Sequence, residues 1–302
     1  MAQPDRVSVL IPAFNEQGTI GDLIQRVKSA GNWLEILVVD DGSSDATSEA
    51  ARAAGARVVR HPYNKGNGAA VKTGIREAQG ELVLLMDGDG QHDPADMQEI
   101  VALLPEYDLV VGARAWGAQA TFSRGLGNLL LARLASYLCG RKIPDLTSGF
   151  RAARRDRMRE FLHLFPNGFS YPTTSTMAFV RAGYNLRFVP IDGKQRTASS
   201  TSKMRPWREG VRFLVIILRM VTLFSPLRIF LPIAVSFFAL GFGYMVYTIA
   251  TEVHVTNTSV LLLTASAILF LFGLLSEQIA YLRLQPPPTG TGGDSESSKP
   301  LR

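Results

Sequence analysis

The 302-residue chain has a single cysteine, Cys139, so an internal disulfide and a cysteine-based metal cluster are both excluded. A lone thiol of this kind reads as a small buried hydrophobe in a reducing compartment. No G-x-G-x-x-G follows the first apolar run, which disfavours dinucleotide binding. Zinc-finger spacing, a basic zipper and an aromatic RNA-binding motif are all missing, so nucleic acid is set aside as a partner. That matters because the formal net charge is +6, which suits nucleic acid, an anionic membrane or phosphorylated substrates. The polar N-terminus lacks the pattern of a secretory signal peptide and runs directly into a strand.

What the chain does have is organised around residues 82–94. Leu82-Val83-Leu84-Leu85-Met86 reads as a buried parallel strand, because a sheet covered on both faces has no polar side to show. The run breaks into Asp87-Gly88-Asp89-Gly90-Gln91-His92-Asp93-Pro94. Loops at the carboxyl ends of strands in α/β sheets are where ligands sit. Asp87 and Asp89, two residues apart on a rigid strand end, are placed to share one divalent cation. Oxygen-only ligands suit Mg²⁺ or Mn²⁺ better than zinc. Taken alone, D-x-D is equally an acidic turn, and its neighbours decide between the two.

Those neighbours repeat the same plan. Val7-Ser8-Val9-Leu10-Ile11 is a short strand ending at Pro12-Ala13-Phe14-Asn15-Glu16, and Ile20, Leu23, Ile24 and Val27 then carry helical spacing. Glu35-Ile36-Leu37-Val38-Val39 is a second strand, ending in Asp40-Asp41-Gly42-Ser43-Ser44-Asp45. Short strands follow at 57–60 and 108–114, with a helix opened by Lys65-Gly66-Asn67-Gly68 between them. Strands alternating with helices at this spacing predict an α/β fold with a mostly parallel sheet and helices on both faces. Acids or polar turns follow three strands, which favours a shared site over unrelated helix caps.

The motifs I-P-A-F-N-E, V-V-D-D-G-S-S-D, N-K-G-N-G-A-A and D-G-D-G-Q-H-D-P occur in order between residues 11 and 94, within a resemblance that covers residues 6 to about 203. Together they resemble the inverting family 2 glycosyltransferases with a GT-A (Rossmann-like) fold, and among them the polyprenyl-phosphate group that includes dolichyl-phosphate mannose synthase. The resemblance implies that Pro12, Ala13, Glu16, Asp40 and Asp41 contact the nucleotide, with Asn15 and Lys65 in the same motifs. It implies that Asp87, Asp89 and Gln91 hold the metal and the sugar diphosphate. Asp145-Leu146-Thr147-Ser148-Gly149-Phe150-Arg151 resembles a segment bordering the acceptor site, and Arg154, Arg155, Arg157 and Arg159 read as a solvated face. Arg114 and Arg124 are expected to clamp the acceptor phosphate, with Arg151 a third candidate and Asp145 orienting them or acting as base. Arg196 and Lys203 fall in a segment that departs from the family's shorter R-x-x-G-x-S-K.

The rest of the chain looks toward a bilayer. Residues 229–251 and 259–276 carry no charge, and each run approaches the roughly 20 residues needed to cross a membrane. The loop between them lacks Lys and Arg, whereas Arg219, Arg228 and Arg283 flank the other side, which places the catalytic domain and both termini in the cytoplasm. Arg205, Arg208, Arg212 and Arg219 fall within about 60° of arc at 100° per residue, a pattern expected of a helix lying in the interface. The boundaries expected are a catalytic domain over 1–203, an interfacial helix over 204–225, two transmembrane helices over 226–284 and a disordered Pro/Gly/Ser-rich tail over 285–302.

The expected activity is transfer of one sugar from a UDP- or GDP-linked donor to a polyprenyl (dolichyl or undecaprenyl) phosphate at the cytoplasmic face. Two alternatives stand beside it: a processive polysaccharide synthase, which would carry Q-x-x-R-W and more spans, and a non-catalytic membrane scaffold. A homo-oligomer is compatible with either enzyme reading.

Overall fold

The computed structural model describes residues 4–88, 92–114, 132–168, 170–191, 215, 219, 222–252 and 254–284. Its centre is a seven-stranded sheet in the order β3-β2-β1-β4-β6-β5-β7. The strands are β1 (Val7–Ala13), β2 (Glu35–Asp40), β3 (Arg57–Arg60), β4 (Leu82–Leu85), β5 (Leu109–Arg114), β6 (Arg151–Arg154) and β7 (Leu186–Ile191). All neighbours pair in parallel except β6, which runs antiparallel to both β4 and β5.

Alternation along β1 explains the layers. Val7, Val9 and Ile11 face one side with Ile20, Leu23, Ile24 and Val27 of the Ile20–Ala30 helix. Leu10 faces the other side with Ala70, Val71 and Ile75 of the Asn67–Glu77 helix. Successive side chains of a strand point to opposite faces, so an unbroken apolar run demands cover on both.

Two elements escaped the sequence pattern. β6 reads Arg-Ala-Ala-Arg, which has neither β-branched residues nor alternation, yet Ala152 and Ala153 are fully buried between β4 and β5. Small side chains fit because helices crowd both faces there. The Tyr171–Arg181 helix begins Tyr-Pro-Thr-Thr-Ser-Thr, a poor helix signal, and is buried over nearly its whole length. Tertiary contacts with its hydroxyls, described below, override the local preference.

The described residues close with an antiparallel pair of helices, Leu227–Glu252 and Asn257–Leu284, both long and apolar enough to cross a membrane. At 1.5 Å per residue the first would extend about 39 Å, more than the hydrocarbon thickness of about 30 Å. They approach closely at two glycines: a Cβ on Gly241 would lie 2.8 Å from Leu262 Cβ, and one on Gly273 would lie 2.8 Å from Phe230 Cβ. Ser266 Oγ donates to the Ala234 carbonyl across the pair at 2.8 Å.

The root of this hairpin is fastened to the α/β domain. Glu277 accepts from Arg181 Nη2 at 3.3 Å and from the Leu227 amide at 3.1 Å, so one carboxylate ties both hairpin helices to the Tyr171–Arg181 helix. Arg219 is half-buried and donates to the Leu164 carbonyl at 3.0 Å, with burial lowering its pKa. The expectation that Arg219 faces lipid headgroups is thereby revised: its guanidinium is held by the Leu164 carbonyl of the α/β domain. Arg205, Arg208 and Arg212 lie outside the described residues.

Candidate active site

The sheet order reverses between β1 and β4: the chain winds outward through β2 and β3, then returns to place β4 on the other side of β1. Such a switch opens a crevice at the carboxyl ends of the two strands. A cleft of about 380 Å³ lies there, lined among others by Pro12 and Ala13 at the end of β1, Phe14 and Glu16 after it, Asp41 after β2, and Asp87 after β4. Gly66 and Asn67, at the start of the Asn67–Glu77 helix, complete one wall. Five residues singled out from the sequence thus meet in one cavity. Phe14, 44% exposed, and Asn64 join them without having been singled out, because neither belongs to a charged pattern.

The acids divide by environment. Asp40 is fully buried: Oδ1 accepts from the Ser43 amide at 2.8 Å, and Oδ2 from the Ser48 hydroxyl. Burial alone would raise its carboxyl, but these hydrogen bonds and the charge of Arg60 hold it below the ordinary value. Asp41 reaches the cleft wall, yet Oδ1 accepts from the Lys65 amide at 2.9 Å and meets His61 Nδ1 at 2.6 Å, while Oδ2 accepts from the Gly66 amide at 2.7 Å. Both carboxylates therefore hold the loops that shape the cleft. The expectation of direct nucleotide contact is revised for Asp40, since no surface of it is left to touch. His61, which also meets Thr73 Oγ1 at 2.9 Å, was not anticipated; a lone histidine after a short strand gives no pattern to find.

Asn15 and Glu16 are set by the same loops. Asn15 adopts φ 56°, a left-handed conformation that asparagine tolerates. Its amide donates to Ser43 Oγ at 2.9 Å, and its Oδ1 accepts from the Ser44 amide at 2.9 Å. The Glu16 amide donates to Thr47 Oγ1 at 2.8 Å, leaving its half-buried side chain along the cleft. Lys65 is exposed, with Nζ 5.5 Å from the centre of the Tyr63 ring. Gly68 is required by close approach, since a Cβ there would lie 2.0 Å from the Pro166 carbonyl.

Asp87 is more available to a ligand than Asp40 or Asp41: its side chain is 34% exposed, against 0% and 4%. It lies against Gly149, where a Cβ would stand 2.3 Å from Oδ2. His92, buried and stacked on Phe150 at 5.1 Å, places Nε2 3.9 Å from the same carboxylate. Behind this pair lies the Asp145–Arg151 segment. Asp145 Oδ1 accepts from the Thr147 amide at 2.8 Å and the Ser148 amide at 3.2 Å, closing a tight turn. Ser148 is buried, and its carbonyl accepts from Arg151 Nη2.

Arg151 itself is 0% exposed. Its Nη1 donates to the Pro172 carbonyl at 2.9 Å, to Ser175 Oγ at 2.6 Å and to Thr176 Oγ1 at 3.2 Å, and its guanidinium lies 5.8 Å from the Tyr171 ring centre. This is why the Thr/Ser-rich helix is buried: its hydroxyls and first-turn carbonyl solvate an interior cation. Burial lowers the Arg151 pKa against the opposing pull of Tyr171, Asp145 and Asp87. A direct clamp of Arg151 on an acceptor phosphate is set aside, because its donors point into the protein. Arg114 ends β5 with its backbone paired to Ile191. Asp89, Gln91, Arg124, Arg196 and Lys203 lie outside the described residues.

Among the described residues, no group of three or more His, Cys, Asp and Glu is gathered to hold a metal ion. The donor chemistry nevertheless fits a hard cation. Asp87 presents a partly exposed carboxylate near a strand end, on a floor kept open by Gly149, and Glu16 and Asp41 line the same cleft.

Residues 8–162 match the model described as glycosyl transferase family 2, and residues 225–282 match the GtrB C-terminal hairpin. The chain belongs to glycosyltransferase family 2. This glycosyltransferase is 31% identical over 296 residues to the glycosyltransferase AglJ of Haloferax volcanii, covering 93% of this chain and 96% of that one. It is 30% identical over 209 residues to a dolichyl-phosphate hexose transferase of the same organism, covering 68% of this chain and 90% of the relative. Among solved structures it resembles the glucosyl-3-phosphoglycerate synthase of Mycobacterium tuberculosis in complex with Mn²⁺ and UDP-glucose. That likeness has a TM-score of 0.57 at 25% identity and spans 71% of this chain and 77% of the synthase. The glycosyltransferase therefore has the GT-A-like architecture that the resemblance of its motifs implied, a seven-stranded sheet with one antiparallel strand.

Proposed function

We propose that the enzyme transfers a single sugar from a UDP- or GDP-linked donor to the phosphate of a polyprenyl phosphate, with inversion, at the cytoplasmic face of a membrane. The observation that carries this reading is the join between two unlike parts. A carboxylate-lined cleft for a polar donor and an apolar hairpin belong to one body, fastened through Glu277. An acceptor that is itself a lipid needs this arrangement, because its phosphate lies at the interface and the active site must be held there. The polyprenyl-phosphate chemistry named for the haloarchaeal relative supports the same acceptor class.

The domain boundaries we propose follow: catalytic over 1–203, interfacial over 204–225, hairpin over 226–284 and a tail over 285–302. Asp87, Asp89 and Gln91 would hold a Mg²⁺ or Mn²⁺ ion, whose charge stabilises a leaving diphosphate. Glu16 and Asp41 border the donor, the latter through the loop it anchors. In the transfer, a phosphate oxygen of the acceptor forms a bond to the anomeric carbon while the bond to the donor's diphosphate breaks. The nucleoside diphosphate departs on the opposite face. A phosphate monoester has a second pKa near 6 and is mostly a dianion at neutral pH, so no base is needed to remove a proton. Cationic positioning is needed instead, and Arg114 and Arg124 are assigned to it. The Asp145 turn supports an orienting role for that acid, since Oδ1 is engaged by its own loop.

The experiment is incubation of the purified full chain with a short polyprenyl phosphate and a panel of UDP- and GDP-sugars, with and without EDTA. One sugar added per lipid, lost in chelator and restored by Mg²⁺ or Mn²⁺, is the expected result. Repeated addition to a growing glycan, or full activity in chelator, overturns the reading or its metal.

A further inference from the structure

A second cleft, of about 510 Å³, lies away from the first and is not used by the transfer described above. Its wall includes Arg133 and Ser136 of the helical segment 132–139, with Arg141, Lys142, Ile143 and Pro144 of the loop that follows. Three cations line it and no carboxylate does. Among the described residues, none of the three cations takes part in an ion pair. Clustered positive charge without compensation in a concave, partly apolar setting is a signature of an anion site.

The fold separates this cleft from the donor site. Arg141 Nη2 donates to the Leu186 carbonyl at 3.2 Å, at the amino end of β7. The donor cleft opens at the carboxyl ends of β1 and β4. In the sheet order, β7 stands three positions from β4, roughly 14 Å at the usual strand spacing, and the opposite strand ends add to that.

The hairpin root fixes what the cleft faces. Tyr137 and Arg228 are linked twice: Arg228 Nη1 donates to the Tyr137 carbonyl, and the Tyr137 hydroxyl donates to the Arg228 carbonyl at 3.0 Å. Ser225 Oγ donates to the Leu138 carbonyl at 3.1 Å. A Cβ on Gly140 would stand 3.6 Å from the Arg228 guanidinium, which brings a fourth cation to the cleft's edge. The segment that builds the cleft therefore touches residues 225–228, where the apolar hairpin begins. In a hairpin that spans a bilayer, that level is occupied by headgroups.

We propose that this basic cleft binds the phosphate of an anionic lipid headgroup, as a site separate from the one that performs sugar transfer. The proposal rests on the reading of the hairpin as membrane-spanning, but not on which sugar or acceptor is used. The anionic phosphate group is shared by free phosphate, which lacks the lipid's apolar stem, so the test separates the two sources. A bound lipid here would steady the catalytic domain against the membrane at the hairpin root.

The test uses the full chain in nanodiscs of phosphatidylcholine with or without phosphatidylglycerol, and native mass spectrometry after release into detergent. Phosphatidylglycerol is expected to be retained in preference to phosphatidylcholine, and inorganic phosphate at millimolar concentration is expected not to displace it. Arg141→Glu combined with Lys142→Glu should cut retention by at least about tenfold, because each cation near an anionic surface contributes on that scale. Arg141→Gln with Lys142→Gln, a milder pair, should give an intermediate loss and an unchanged melting temperature, which excludes misfolding as the cause. Equal retention of both lipids by the wild type, or equal phosphatidylglycerol retention by the charge-reversed protein, overturns the site. Displacement by free phosphate would overturn the lipid assignment. Sugar transfer measured on the same samples keeps the two readings apart: lost transfer with retained lipid counts against the function, and the converse against this cleft.

Discussion

Leu10 in the central sheet and Leu261 in the hairpin are the same side chain in opposite settings, 1% and 69% exposed. In the α/β domain the apolar runs of β1, β2 and β4 are covered on both faces by helices, so they are buried within the chain. In the hairpin the two helices cover only one side of each other, and Leu271, Leu275 and Leu282 are also more than half exposed. An apolar surface of that extent is stable only against another apolar phase. The two parts are thus held by different solvents. They meet where polar groups are concentrated: Glu277 with Arg181 and the Leu227 amide, Arg228 with Tyr137, and His163 Nε2 with the Arg283 carbonyl.

The strongest way to sharpen the contrast is to strike chemistry in one part while leaving the other intact. Asp87→Asn is expected to lower kcat by on the order of 10²-fold or more, with hairpin stability and membrane insertion unchanged. Steady-state assays beside thermal melts would decide it, and near-normal kcat would remove Asp87 from the site.

Arg151→Ala attacks the interior of the catalytic domain. It leaves the carbonyls of Ser148 and Pro172 and two hydroxyls without their donor and opens a cavity, so a loss of about 3 kcal/mol or more is expected. Thermal unfolding followed by tryptophan fluorescence would show it. A variant as stable as the wild type would mean that the buried cation is dispensable.

Within the hairpin, Gly273→Val forces a side chain onto Phe230 and should cost about 1–3 kcal/mol of helix packing. Nucleotide-sugar affinity is expected to stay as it was, since the sheet carries that site. Calorimetric binding of the donor beside melts in detergent tests both halves of the claim.

The smallest effect is expected at the seam. Glu277→Gln removes a pair whose members are each about one quarter exposed, worth under about 1 kcal/mol of stability. KM for polyprenyl phosphate should nonetheless rise while KM for the nucleotide sugar holds. The charge swap Arg181→Glu with Glu277→Arg should recover part of the loss; equal changes in both KM values would make the contact merely structural.

Much of this molecule was legible in order along the chain. The runs 7–11, 35–39 and 82–86, each followed by acids or a polar turn, announced parallel strands and a site at their ends, because a doubly covered sheet leaves no other place for polar residues. The charge-free runs from 229 and from 259 announced a pair of long apolar helices by length alone. β6 and the Tyr171–Arg181 helix were hidden, since Arg-Ala-Ala-Arg and Pro-Thr-Thr-Ser-Thr owe their conformations to distant partners rather than to local preference.

What an acid or arginine does in the fold was also beyond the sequence. Asp40, Asp41 and Asp87 share one residue type and one kind of position at the end of a strand. Only the packing makes Asp40 an interior anchor, Asp41 a loop brace and Asp87 a partly exposed carboxylate. Arg151, Arg219 and Arg141 divide in the same way among a buried donor, a tie to a backbone carbonyl and a charge lining an open cleft. Periodicity along the chain determines which segments must be buried and which medium can bury them, because apolar area is counted residue by residue. The role of a charge depends on which carbonyls, hydroxyls and opposite charges reach it from segments far away in sequence, and only the folded chain brings those together.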